Sequence, residues 1–421
     1  MIEWDTIYKA LGFFKFGPYI CQWITIVYTD IQSCVTNNGW KSHFFNLTRG
    51  VRQGCPLSPY LFIITVEILA LYIRQNKDID GISIGNIIYK ITQYADDTCL
   101  TVPFCPQTLN EIINTFQKFE SLSGLKVNYD KTEILRIGSL KDSDAELYTI
   151  KPLKWSDGPI KILGIFLTTN NEDLLSLNYQ PLIDKIVNLV KLWSRRHLTI
   201  YGKVQIIKSI LISQLVYRLS VLPSPDLKCM QECNNLLLSF VWNNKRPKIS
   251  LFNLLADYDS GGVKMTHLPS VDKSLKISWI KRLQHFNPKA FNLAQQALRY
   301  PINVLLQGNF SVNDVACIFY KQCNRFWVDV MMSWAQLNYC VPSTYNEVVN
   351  QCLWFNSNLK IGQKLCFNKS WYDLGIIYIR DLLNEQGVFL KFQELQTKYN
   401  LTNDNFLYYG SILSVVKKTW K

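Results

Sequence analysis

The sequence predicts a mixed α/β (α+β) fold over residues 1–170, with a small antiparallel sheet backed by helices. An all-helical stretch over 171–250 and a mostly helical region over 251–421 follow. Three observations lead there. Short runs rich in β-branched and aromatic residues alternate with helical-period segments up to about residue 167. From about residue 174 the pattern changes to long helices. A chain of 421 residues has the length for roughly two to three domains.

Taken in order, residues 2–12 read as a helix with Ile2, Ile7 and Leu11 on one face, and a second helical segment covers 18–36. Asn37-Asn38-Gly39 is a turn, and a short strand pair runs through Phe44–Leu47. The stretch Arg49-Gly50-Val51-Arg52-Gln53-Gly54-Cys55-Pro56-Leu57-Ser58-Pro59 has two Gly and two Pro, so it reads as a loop whose backbone can approach a ligand closely. It opens a helix over about 57–76 that is apolar nearly all round and is expected to be buried on most sides.

Next come two β-prone runs, Ile87–Thr92 and Cys99–Val102, on either side of Gln93-Tyr94-Ala95-Asp96-Asp97-Thr98. They predict a hairpin with two adjacent carboxylates near its tip. Neighbouring carboxylates repel, and a hard divalent cation relieves that repulsion through oxygen ligands. Two-ion sites of this kind serve phosphoryl transfer by clamping the attacking and leaving oxygens. A lone Asp-Asp pair is more often a solvated turn, so its surroundings decide.

Thr108-Leu-Asn-Glu111 reads as a capping box for a helix that Gly124 ends. Strands are expected at 125–128, 133–137 and 160–167, with a polar loop over 138–158. Between 185 and 250 the basic residues are Lys185, Lys191, Arg195, Arg196, Lys203, Lys208, Arg218, Lys228, Lys245, Arg246 and Lys248, against only Asp226 and Glu232. That asymmetry favours a face tracking a phosphate backbone over a merely solvated one.

Composition narrows the function classes. The net charge of +13 and pI of about 9.1 favour a polyanionic partner. Twelve Cys without a CxxC, and only four His, exclude a zinc knuckle or finger. Cys229 and Cys233 read as buried free thiols. The longest apolar stretch, Leu61–Ile73, contains Glu67 and falls short of the roughly 20 residues a bilayer span needs. No signal-peptide order opens the chain. The expectation is an intracellular protein, in cytoplasm or nucleus, neither secreted nor membrane-bound.

Together these residues resemble the reverse transcriptases of non-LTR (LINE-type) retrotransposons. Gly50–Pro59 is similar to that family's RQGxPLSP motif, and Tyr94-Ala95-Asp96-Asp97 to its [FY]ADD motif. Leu122–Asn128 with Lys131 is similar to the segment after it, and Leu163-Gly164-Ile165 to the primer-grip strand. Phe240-Val241-Trp242-Asn243 and Gly261-Gly262 also resemble this family.

The resemblance implies a palm with a small antiparallel sheet (1–170), an all-α thumb (171–250) and a mostly helical C-terminal region (251–421). It implies an RNA-directed DNA polymerase that uses two Mg²⁺ ions, or Mn²⁺ in their place, with an RNA template, a DNA primer and dNTPs as partners. Asp96 and Asp97 would hold the metal, and Lys131 would stand near the departing pyrophosphate. Arg52, Gln53, Gly54 and Tyr94 would line the nucleotide and template pocket, and Leu163 and Gly164 would support the primer end. Lys191, Arg195, Arg196, Lys203 and Lys208 would meet nucleic acid from the thumb.

In the family a further carboxylate, in an Ala-Phe-Asp motif ending a palm strand, precedes a segment like Ile2-Glu3-Trp4-Asp5 by a few residues. The expectation is therefore an N-terminally truncated reverse transcriptase, whose first catalytic Asp and fingers precede Met1 and whose polymerase activity is impaired. Asp5 is a poor substitute because it falls in the following helix. The alternative is a catalytically inactive nucleic-acid-binding remnant or domesticated fragment. A maturase of the group II intron type shares the palm motifs and is the weaker third reading.

Overall fold

The computed structural model describes residues 1–140, 153–156, 158–285, 288–319 and 324–419. The chain forms two compact units, Met1–Leu174 and Leu175–Lys421.

The first unit opens with α1 (Trp4–Phe13) and α2 (Pro18–Val27). Pro18 suits the first helical turn, where its missing N–H has no partner to lose. The second helix is shorter than the 18–36 predicted. The chain leaves it through Asp30 in the left-handed region and enters a two-stranded ribbon. In that ribbon β1 (Gln32–Ser33) pairs with β4 (Phe45–Asn46), and β2 (Thr36–Asn37) with β3 (Trp40–Lys41). The Asn38-Gly39 turn has positive φ at both residues, as the hairpin signal requires.

The long helix α3 (Ser58–Gln75) forms where predicted, but it is not buried all round. Leu61, Leu69, Ala70 and Ile73 pack inward, while Tyr60, Ile63 and Tyr72 lie on the exposed side. Composition alone carried that expectation, and it cannot say which flank finds a neighbour.

Two hairpins follow: β5 (Ile82–Ile84) with β6 (Ile87–Tyr89), and β7 (Ile91–Tyr94) with β8 (Asp97–Leu100). Helix α4 (Pro106–Ser123) starts earlier than the capping-box reading places it. Cys105 is the N-cap and Pro106 occupies the first turn, so Thr108 sits buried inside the helix rather than at its cap. Gly124, at φ +68°, ends it as predicted.

The strand expected at 125–128 is not formed, and that at 133–137 shrinks to β9 (Glu133–Ile134), paired parallel with β10 (Lys154–Trp155). The loop predicted over 138–158 falls largely outside the described residues. The strand predicted at 160–167 is instead a hairpin of β11 (Ile160–Ile162) and β12 (Ile165–Leu167). Leu163 and Gly164, at φ +48° and +82°, turn the chain there. Among the described residues the unit holds separate two-stranded ribbons and no single continuous sheet.

Two cores support these elements. One gathers Ile2, Ile7, Leu11, Ile24, Tyr28, Ile31 and Leu61 around α1, α2 and α3. The other gathers Leu69, Ala70, Ile73, Ile79, Ile91, Leu109 and Ile112, and so seats the β7–β8 hairpin on α3 and α4.

The second unit is mostly helical. It begins within α5 (Asn171–Ser194) and continues with α6 (Ile200–Ile206), a π-helical stretch Ile207–Ile212 and α7 (Ser213–Val221). The run Ile200–Val221 is the one described helix long and apolar enough, by length and composition, to cross a membrane, a candidate the sequence reading had not singled out. It carries Lys203, Lys208 and Arg218, and it packs on α8 (Leu227–Trp242) and α10 (Leu268–His285). Between those two lies α9 (Leu251–Leu255). Helices α11 (Pro288–Leu298), α12 (Ile302–Gln307), α13 (Val312–Phe319) and α14 (Arg325–Asn338) follow, with α14 packed on α10. A large core around Phe310, Trp354, Trp371 and Leu395 closes the C-terminal part.

Candidate active site

The β7–β8 hairpin is built to hold its tip away from the core. At its base Ile91 is buried opposite Leu100, and Gln93 Nε2 donates to Thr98 Oγ1 across the strands at 3.2 Å. Just before it, Lys90 Nζ donates to the carbonyl of Asn76 at 2.7 Å, and Asn76 Nδ2 donates to Glu111 Oε1 at 3.0 Å. These bonds tie the hairpin's start to the end of α3 and to α4. Tyr94 pairs with Asp97, so Ala95 and Asp96 form the two-residue turn, and Ala95 takes φ +52°.

Cross-strand partners share a face, so Tyr94 and Asp97 lie on the side opposite Ile91 and Gln93. Asp96 and Asp97 are both exposed, and Tyr94 is 69% exposed beside them. Unlike Asp130, which pairs with Lys154 at 3.4 Å, neither has an ion-pair partner among the described residues. Two adjacent, uncompensated carboxylates offer the hard oxygen donors a divalent ion takes. Among the described residues no group of three or more His, Cys, Asp or Glu side chains is placed to hold a metal.

The Arg52-Gln53-Gly54 loop is exposed, with Gly54 at φ +81°. Its Cys55 thiol lies below the usual cysteine value, chiefly because the Leu57 N–H bonds to it, then through Ser58 and the Arg52 charge. Lys131 is exposed on a turn closed by its own N–H to the Asn128 carbonyl at 3.1 Å. Leu163 and Gly164 form a turn rather than mid-strand positions. No hydrogen bond or ion pair joins Arg52, Gln53, Asp96, Asp97 and Lys131 to one another among the described residues.

Sequence reasoning missed how the first residues brace this region. The Gly50 N–H donates to the Ile2 carbonyl at 2.7 Å, and Trp4 Nε1 donates to the Gly50 carbonyl at 2.8 Å. The Glu3 N–H donates to the Ser123 carbonyl at 2.9 Å, and Thr6 Oγ1 donates to that of Leu122 at 2.5 Å. Residues 1–6 thus bind both the 49–54 loop and the end of α4. The signal was present in Gly50 and Gly124. Both have positive φ, and a Cβ on Gly124 would stand 2.9 Å from the Met1 carbonyl oxygen. Asp5 lies in α1 and pairs with Lys9 at 2.5 Å.

In the second unit Lys191, Arg195 and Arg196 are exposed and Lys208 is half-buried. The Arg196 guanidinium sits over the Trp193 ring at 5.2 Å. Lys203 departs from the expected surface role. It is 3% exposed, and its ammonium donates to the Phe240 carbonyl at 2.9 Å, the Val241 carbonyl at 3.2 Å and Asn243 Oδ1. It caps the C-terminal end of α8, where free carbonyls and the helix dipole favour a cation.

The comparisons give the class first. Residues 1–167 match the family described as reverse transcriptase (RNA-dependent DNA polymerase). Residues 1–167 thus form a reverse transcriptase domain, and the relatives matched point to the kind found in non-LTR retrotransposons. It is 27% identical over 246 residues to the transposon TX1 uncharacterized 149 kDa protein of Xenopus laevis, covering 58% of this chain and 18% of that one. It is 24% identical over 295 residues to the retrovirus-related Pol polyprotein from type-2 retrotransposable element R2DM of Drosophila melanogaster, covering 66% and 26%. An uncharacterized mitochondrial protein of Arabidopsis thaliana is 32% identical over 110 residues, covering 24% of this chain and 88% of that one. The chain thus spans 18% and 26% of the length of the first two relatives. Reverse transcriptases as a family use divalent metal ions, a nucleic-acid template and nucleotide substrates.

Proposed function

We propose that this chain carries the RNA-directed DNA polymerase centre of a non-LTR retroelement, with Asp96 and Asp97 holding Mg²⁺, or Mn²⁺ in its place. The observation that carries this is the exposed, unpaired Asp96–Asp97 turn within residues matching the family. When bound, a divalent ion lowers the barrier to phosphoryl transfer by neutralising charge on the reacting oxygens.

The chain's own residues then do the positioning. Asp96 and Asp97 present carboxylate oxygens from a turn fixed by the core beneath Ile91. Tyr94, on the Asp97 face, offers an exposed ring to an incoming base. Arg52 and Gln53, on a loop whose backbone is bonded to Ile2 and Trp4, supply donors for the nucleotide and template. Lys131 supplies an exposed cation for the departing pyrophosphate, where charge develops. Leu163 and Gly164 give the primer end the turn of the β11–β12 hairpin. Lys191, Arg195, Arg196 and Lys208 offer cations to the phosphate backbone, and Lys203 holds the end of α8. An intracellular, non-membrane setting fits a chain whose described cysteines are all free thiols and whose apolar helix Ile200–Val221 packs on other helices.

A second reading, nucleic-acid holding without chemistry, is favoured by one observation: no third acid joins Asp96 and Asp97 among the described residues. Primer extension separates the two. Wild type with an RNA template, DNA primer, dNTPs and Mg²⁺ is expected to incorporate template-directed nucleotides, and Asp96→Ala to lose about 10²–10³ in rate. Hybrid binding with no incorporation would establish the second reading. Incorporation unchanged by Asp96→Ala would remove the turn from the chemistry.

A further inference from the structure

Helix α2 has two apolar faces, and only one of them is packed. Residues 18–27 include no charged side chain. One side is anchored. Ile24 is buried, Cys21 packs against the same core, and Tyr28, just beyond the helix, lies edge-on to the Trp4 ring at 5.5 Å. The other side carries Tyr19, Ile20, Trp23, Ile26 and Val27, all exposed, Tyr19 by 73%, Trp23 by 65% and Ile26 by 63%. Residues three and four apart share a helix face, so these five form one stripe with Trp23 at its centre. A helix apolar all round is ordinarily buried, and a contiguous apolar stripe left on a surface marks an interaction site.

Three observations say what fits this face. The first is the order of the side chains. The stripe is arranged symmetrically about Trp23, with Ile20 and Ile26 three residues to either side and Tyr19 and Val27 four to either side. A two-fold axis at Trp23 therefore sets Trp23 against its own copy, Ile20 against Ile26 of the second copy, and Tyr19 against Val27. That is the self-complementarity an isologous contact requires. The second is area. The stripe exposes roughly 500 Å² of mostly apolar surface, taking large aromatic side chains at about 150–250 Å² each. Two copies would remove roughly 1,000 Å² from water, the lower edge of a specific interface. The third is charge. The chain carries +13, so two copies repel across most of their surfaces. The α2 stripe lets them meet with no cation at the contact centre, and an aromatic anchor with charges depleted around it is how such centres are built. A polyanion finds no donor cation on this helix, and a helix lying on a lipid surface carries Lys or Arg on its polar face, which α2 lacks.

We infer that the outer face of α2 is a homodimer interface, in which the helix packs antiparallel on its copy about a two-fold axis at Trp23. The interface stands apart from the polymerase reading, and neither depends on the other.

The test is sedimentation velocity on the full, nuclease-treated chain over a concentration series at low and raised salt. Wild type is expected to dimerise in the micromolar range, and more tightly as salt screens the repulsion between copies. Association bridged by nucleic acid would instead weaken with salt. Trp23→Glu is expected to weaken the dimer about thirtyfold, and Leu407→Glu, an exposed position in the second unit, to leave it within about twofold. Circular dichroism and melting temperature check that each variant is folded, as substitution at exposed positions allows. The register has its own test. Ile20→Lys alone is expected to weaken the dimer about tenfold, and Ile20→Lys/Ile26→Glu to recover most of that loss, because position 20 meets position 26 of the second copy. A wild type that stays monomeric at every concentration overturns the inference. So does a dimer that Trp23→Glu leaves intact. A double variant no tighter than Ile20→Lys overturns the two-fold register. Monomeric wild type that binds phosphatidylserine–phosphatidylcholine vesicles through Trp23 assigns the face to lipid and overturns the dimer.

Discussion

At the scale of single residues, Lys203 shows how the same side chain can serve two masters in a sequence. Read by charge it belongs with Lys191, Arg195 and Arg196 as a surface cation. Read in place it is a buried donor to the Phe240 and Val241 carbonyls. Lys203→Met keeps the stem's packing and removes the donor, leaving those carbonyls unsatisfied. Urea unfolding is expected to show a loss of about 1–3 kcal/mol; an unchanged midpoint would show that water replaces the ammonium at no cost. The hairpin that bears Asp96 and Asp97 was legible because β-prone runs flank its turn on both sides. The role of Lys203 was not, because it depends on where α8 ends relative to α6, a long-range packing fact with no local signal.

The elements carry the next level of argument. Hairpins β2–β3 and β7–β8 were readable from Asn38-Gly39 and from the alternating runs around Asp96, since turn chemistry and period act locally. Helix α2 stopped short, and Leu163-Gly164 turned a predicted strand into a hairpin, because both depend on left-handed residues that are not glycine: Asp30 and Leu163. Gly124 joins element to site. Gly124→Ala would force a methyl to within 2.9 Å of the Met1 carbonyl at a backbone angle alanine disfavours. The expected cost is about 2 kcal/mol or more, read as a lowered melting temperature, with loosening of residues 1–6 seen as faster amide exchange at Glu3. Exchange at Glu3 matching wild type would show that the brace does not depend on this approach.

The buried polar clasp around Ser224 makes a second prediction at this level. Asp329 accepts from the Ser224 N–H at 2.8 Å, Asp272 accepts from the Ser224 hydroxyl at 2.7 Å, and Lys276 donates to the Leu219 and Leu222 carbonyls, each at 2.5 Å. Burial raises the Asp329 carboxyl above its ordinary value, opposed by the Ser224 N–H and the Lys276 and Arg325 charges. A raised carboxyl favours the protonated form in the folded state. The stability it contributes is present below the ordinary carboxylate value and is lost as pH rises through the raised one. Relative to Asp329→Asn, which cannot ionise, wild type is therefore expected to gain stability as pH falls from 7 toward 4. A wild-type advantage that shrinks on acidification would contradict this.

For the whole molecule, the first unit holds the Asp96–Asp97 turn exposed at the end of the β7–β8 hairpin. Two cores, four helices and the braced residues 1–6 support the loop that bears Arg52 and Gln53 and the hairpin that bears Asp96 and Asp97. Family and fold class were legible because several short motifs occur in fixed order. Among the described residues the strands form separate two-stranded ribbons rather than one small antiparallel sheet, since strand runs in sequence do not specify which ribbons pair. The most direct measurement on the central claim is Mn²⁺ binding to the whole chain, followed by electron paramagnetic resonance, for wild type and for Asp96→Ala/Asp97→Ala. The account predicts a bound Mn²⁺ population in wild type that Mg²⁺ displaces and the double variant lacks. Equal Mn²⁺ binding by both proteins would contradict it.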